Sequence, residues 1–134
     1  MQPELKDSRL LTGANLYWDR PSAIMDVSLD GPGEALISAW EKAAGEWLDS
    51  VGYADEKTCF RVFDGGSSLL ISAQIDVLYS MCELNELAWA SAVAICANGK
   101  PPDPDEEIPR LTRLFDEERN PPLLALQKAA SEKG

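Results

Sequence analysis

The chain has 134 residues, enough for one domain that hides roughly two-thirds of its unfolded surface around a single core. Hydrophobic residues at 45% and charged residues at 26% exclude a disordered chain, and a net charge of −11 repels phosphate backbones and anionic lipid, which argues against nucleic acid and membrane surfaces as partners. There is no histidine, so serine–histidine and cysteine–histidine catalysis and imidazole metal ligation are excluded.

Residues 1–7, MQPELKD, are expected as a flexible tail, followed by a short strand over Arg9 to Thr12. This start has no apolar signal region, and no run approaches the ~18 apolar residues of a membrane span, so a cytoplasmic location is expected. A loop from Gly13 to Ser22 then leads into a second strand. There Ala23, Met25, Val27 and Leu29 alternate with Ile24, Asp26, Ser28 and Asp30, the period of a half-buried strand. Gly31, Pro32 and Gly33 break it. From Glu34, the set Leu36, Trp40, Ala43, Trp47, Leu48 and Val51 recurs at helical spacing and predicts an amphipathic helix ending near Gly52, with Trp40 and Trp47 in the core.

The segment TCFRVFDGGSSLLISA predicts a hairpin, because Asp64, Gly65 and Gly66 tolerate the positive φ angles of short turns. Residues 76–98 are apolar on most faces and predict a central buried helix. GKPPDPDEEIP, with four prolines and four acids, is expected to be a surface loop over 99–107. Two short helices, Ile108 to Arg119 and Leu123 to Lys133, flank an Asn-Pro-Pro stop. The resulting order is β-β-α-β-β-α-α-α in a single domain spanning 1–134. The fold class is α+β, a two-layer arrangement of a small mixed or antiparallel four-stranded sheet packed with helices.

Few residues offer chemistry. There is no phosphate-binding loop, and GPGE before the first helix is too short for a dinucleotide fingerprint. Cys59, Cys82 and Cys96 are an odd set without a C-x-x-C pair, expected as buried thiols, and the acids of DPDEE lack the spacing of a calcium loop. No metal and no cofactor is expected. In the central helix, Glu83 and Glu86 share a face, with Asp76 and Tyr79 on the turns before them. Either they form a paired-carboxylate site for acid–base or metal chemistry, or Arg9, Arg20 or Arg61 pairs with them in a structural network. In the opening loop, Trp18 is a packing lid or a contact surface. Gly13 permits a tight turn and Asn15 bonds its own backbone, so the loop is expected to be a brace in which Asn15 and Arg20 hold it to the sheet or helix.

RLLTGANLYWDRPSAIMDVSLD resembles the start of the N-terminal domain of cyanophycin synthetases and their Mur-ligase-family relatives, in which a strand, a G-P-N-x-x segment and a second strand follow in this order. Gly13 and Asn15 match, and Ala14 stands where that pattern has proline. The resemblance continues through IDVLYSMCELNELAWA and LLALQKAASEKG. It implies a noncatalytic accessory module of an ATP-dependent amide ligase. Its implied partners are the ligase catalytic domains, on the same or a separate chain, and an arginine-containing polymer or peptide. Some relatives carry a histidine-built hydrolytic metal site there, which this chain cannot reproduce. The expected binding residues are Asn15, Trp18, Arg20, Tyr79, Glu83 and Glu86, with Gly13, Asn15, Gly65 and Gly66 as turn-forming positions and no catalytic residue assigned.

Overall fold

In the computed structural model, residues 4–11, 18, 20–29 and 33–119 are described. Gly13, Asn15 and the helix expected over 123–133 lie outside them. The described chain runs β1 (Glu4–Leu11), β2 (Ser22–Ser28), α1 (Glu34–Val51), β3 (Thr58–Phe63), β4 (Gly66–Ser72), a single 3-10 turn (Ile75–Val77), α2 (Leu78–Cys96) and α3 (Pro104–Arg119). The four strands form an antiparallel sheet in the order β1-β2-β4-β3, and the helices cover one face of it, so the fold is α+β.

Strand register sorts the side chains. Ala23, Met25 and Val27 of β2 lie opposite Ile71, Leu69 and Ser67 of β4, and the apolar members of this set join Trp40, Trp47, Met81, Leu84, Leu111 and Phe115 in one core. α2 takes most of the helix contact with the sheet, while α1 and α3 pack against α2. An interior helix of this kind is apolar nearly all round, as its sequence is.

Two polar ladders tie α1 to α2. Trp40 Nε1 donates to Asn85 Oδ1 at 2.8 Å, and Asn85 Nδ2 donates to the Leu69 carbonyl of β4 at 3.1 Å. Trp47 Nε1 donates to Ser91 Oγ at 3.0 Å, and Ser91 Oγ in turn donates to the Leu87 carbonyl. Each indole thereby satisfies the one donor that burial would orphan.

Three local expectations are corrected. First, residues 4–7 are not tail but the first half of β1, whose polar alternation and register shift between Leu5 and Asp7 hid the strand. Second, β2 is buried on both faces, because Ile24 lies opposite Leu70 on the outer face and neither is accessible. Third, residues 104–107 belong to α3 rather than to a loop. Asp103 Oδ1 accepts the Asp105 N–H at 3.0 Å, Pro104 occupies the first helical position, and three acids fill the first turn beside the unpaired N–H groups. Pro109 lies within α3 and removes one helical hydrogen bond.

The hairpin uses its glycines differently. Only Gly65 takes positive φ, at 87°, and its carbonyl accepts the Leu29 N–H at 2.9 Å. Gly66 is needed for space, since a Cβ there would come within 2.1 Å of the Val27 carbonyl oxygen.

Candidate functional site

The polar residues of α2 do not gather into one site. Glu83 pairs with Arg110 of α3 at 3.7 Å, and Arg110 Nε donates to Glu107 at 2.8 Å. The expected partners Arg9, Arg20 and Arg61 are therefore corrected to Arg110, which α3 brings beside α2 in a way that sequence spacing does not reveal. Glu86 faces β1 instead. Burial is the main cause that raises its carboxyl above the ordinary glutamate value of 4.5, with Glu83 adding to it and the Ser8 hydroxyl opposing. The neighbouring Cys82 thiol is pushed up to about 11, chiefly by burial, and donates to the Arg9 carbonyl at 3.4 Å. A thiol so far from ionisation is a poor nucleophile. Tyr79 is 56% exposed, and Asp76 acts electrostatically on Tyr53 and Arg119.

Arg9 works on the opposite face of the sheet. Its Nη1 bonds Asp26 at 2.7 Å and Asp7 at 2.8 Å, and Ser68 Oγ donates to Asp26 at 2.7 Å, so one carboxylate links β1, β2 and β4. Burial raises the Asp26 carboxyl, but the hydrogen bonds from Arg9 and Ser68 outweigh it and hold the group below the ordinary aspartate value of 3.8.

At the mouth of β2, Trp18 Nε1 donates to Ser22 Oγ and the Arg20 guanidinium lies over the Trp18 ring at 5.3 Å. Arg20 also lines a polar cleft of about 640 Å³, with Tyr53, Asp55, Glu56, Gln74 and Arg119 on its other walls. Here the end of α1, the end of β4 and the last turn of α3 meet. Tyr53 stacks on Phe115 with ring centres 4.6 Å apart, and Arg119 Nη1 donates to the Tyr53 hydroxyl at 2.9 Å while Nη2 pairs with Asp116. Burial is the largest cause that raises the Tyr53 hydroxyl, with Asp76, Asp116 and Glu56 adding to it and Arg119 opposing. Glu56 accepts from Ser72 Oγ at 2.9 Å, and that same oxygen accepts the Lys57 N–H.

The cleft is the candidate functional site. Its lining carries two guanidinium groups, Arg20 and Arg119, and two carboxylates, Asp55 and Glu56, a mixed set that suits ligands carrying both charges. Of the expected binding residues that lie among the described ones, Arg20 lines it, and Trp18, Tyr79, Glu83 and Glu86 do not. Tyr53, Asp55 and Glu56 share the connection after α1, but Gln74 and Arg119 come from distant segments, so no sequence signal marks the set as neighbours. Among the described residues no group of three or more acidic or cysteine side chains is arranged to hold a metal ion, and no helix is long and apolar enough to cross a membrane. Compared with known proteins, the chain matches no protein-family model and no curated protein.

Proposed function

We propose that this chain is a noncatalytic binding or scaffold module of the kind found at the start of cyanophycin synthetase-like Mur ligases, working beside ATP-dependent ligase domains on the same or a separate chain. One observation carries the reading. Glu83, one of the two carboxylates that could form a paired site on α2, is engaged with Arg110 of α3, and the nearby Asn85 joins Trp40 to the Leu69 carbonyl. The net charge of −11 and the carboxylates of the cleft favour a guanidinium-bearing polymer or peptide as the bound partner.

The test is an NMR titration with arginine-rich and lysine-rich peptides of equal charge. The expected result is weak binding that shifts Tyr53 and Gln74 resonances, favours arginine, and falls sharply from low to physiological salt. Absence of binding at low salt removes the polymer-holding role, and equal affinities leave only nonspecific attraction. A second reading, a carboxylate-based metal-dependent hydrolase, draws on the adjacency of Glu83 and Glu86 and the raised Glu86 carboxyl. A stoichiometric micromolar zinc site by calorimetry, abolished by Glu83→Gln, would establish it in place of the first.

A further inference from the structure

The two edges of the sheet are unlike. β1 carries Glu4, Lys6, Asp7 and Arg9 and a register shift, devices that discourage another strand from pairing there. β3 has an unbroken register with β4, and Phe60, Val62 and Phe63 are 44, 57 and 46% exposed. Phe60 and Val62 face the helix side, yet among the described residues no helix makes a substantial contact with β3.

The backbone of β3 is aimed outward in a definite pattern. Ser72 N–H donates to the Lys57 carbonyl at 2.9 Å, which marks Lys57 and Ser72 as a hydrogen-bonded pair. Antiparallel pairs alternate, so Cys59, Arg61 and Phe63 direct their backbone groups at β4, and Thr58, Phe60 and Val62 direct theirs at the open edge. We propose that this edge pairs with β3 of a second copy of the chain, antiparallel about a two-fold axis at Phe60, to make a continuous eight-stranded sheet.

The self-complementary register follows from the residues. With Phe60 opposite its own copy, Thr58 faces Val62 of the second chain, and all six outward N–H and C=O groups on each strand find partners. The two phenyl rings pair across the axis, and the Lys57 stem covers Phe63 of the other copy. Centring on Arg61 would place two guanidinium groups in the closest cross-strand position, and centring on Val62 would leave Thr58 unpaired. A six-residue edge contact falls at the small end of specific interfaces, so the association is weak and depends on concentration. Because each copy carries −11, added salt strengthens the dimer by screening repulsion.

Sedimentation of the full chain from micromolar to millimolar concentration tests this. The expected result is a monomer–dimer equilibrium that shifts toward dimer with salt and becomes monomeric in Phe60→Lys and in Val62→Lys, both retaining the parental melting temperature. Register is tested by oxidation in a Cys96→Ser background. Cys59 and position 61 of the second copy form a non-hydrogen-bonded pair with Cα atoms about 4.5 Å apart, within disulfide reach. Arg61→Cys should therefore cross-link between chains roughly tenfold faster than Phe63→Cys, which lies out of reach. A chain that stays monomeric throughout, a dimer that survives both lysine variants, or equal cross-linking at the two positions overturns the proposal.

Discussion

The indole N–H of Trp40 donates to the side-chain oxygen of Asn85, 45 positions away, where neither residue is accessible to solvent. The amide of Asn85 then passes the connection to the Leu69 carbonyl, so α1, α2 and β4 are joined through one side chain. Apolar packing fixes distance between such elements, and this amide also fixes rotation of α2 about its own axis.

Asn85→Ala leaves the Trp40 N–H buried without a partner and should lower stability by about 2–3 kcal/mol. Trp40→Phe removes the donor and leaves the Asn85 oxygen unpaired. Combining the two should cost clearly less than the sum of the singles, because the second change removes a group already orphaned. Denaturant unfolding of the three variants measures the coupling.

Glu118 of α3 caps a helix that is not its own. Its two carboxylate oxygens accept the backbone N–H groups of Tyr79 at 3.0 Å and Ser80 at 2.7 Å, in the first turn of α2, which has no side-chain cap from its own N-cap residue, Val77. Glu118→Ala should cost about 1–2 kcal/mol, and Glu118→Gln less, since one acceptor oxygen survives while the charge facing the helix end is lost. Thermal melts of the two variants rank them.

Asp26 sets acid sensitivity. Its carboxyl is held below 3.8 in the folded chain, so the stabilisation is complete above that value and disappears as pH falls through the lowered one. Asp26→Asn should reduce the melting temperature near pH 7, and the difference from the parent should close as pH falls through the lowered value. Melting curves across that range give the result.

Glu86 acts with the opposite sign. Its carboxyl is raised above 4.5, so the folded chain holds its proton more tightly, and stability is greatest below 4.5 and declines as pH rises through the raised value. Glu86→Gln should raise the melting temperature near pH 7 and have little effect near pH 3. A reduced melting temperature at pH 7 would mean that the ionised form has a stabilising role.

Much of the fold was legible in the sequence because strong periodicity survives in single segments. α1 and its Gly52 stop, the hairpin around Gly65, and α2 all follow from local patterns. β1 was half hidden because an edge strand with polar residues on both faces has no apolar alternation to detect. The start of α3 has the look of a loop because prolines break helix interiors, although Asp103 followed by Pro104 is a helix-opening pair. The candidate site was the least legible. Glu83 and Glu86 share a helix face, but which arginine meets Glu83 depends on where α3 docks, and the cleft joins Arg20 to Tyr53 and Arg119 across three separate stretches of chain.

The cap that Glu118 places on α2 also divides the molecule into units of opening. The amides of Tyr79 and Ser80 are held by α3, so their hydrogens exchange with solvent whenever α3 lifts away, even while the rest of α2 stays packed against α1 and the sheet. The first turn of α2 and the last turns of α3 thus breathe together, and the middle of α2, anchored at Asn85 and Ser91, exchanges only when the whole core comes apart.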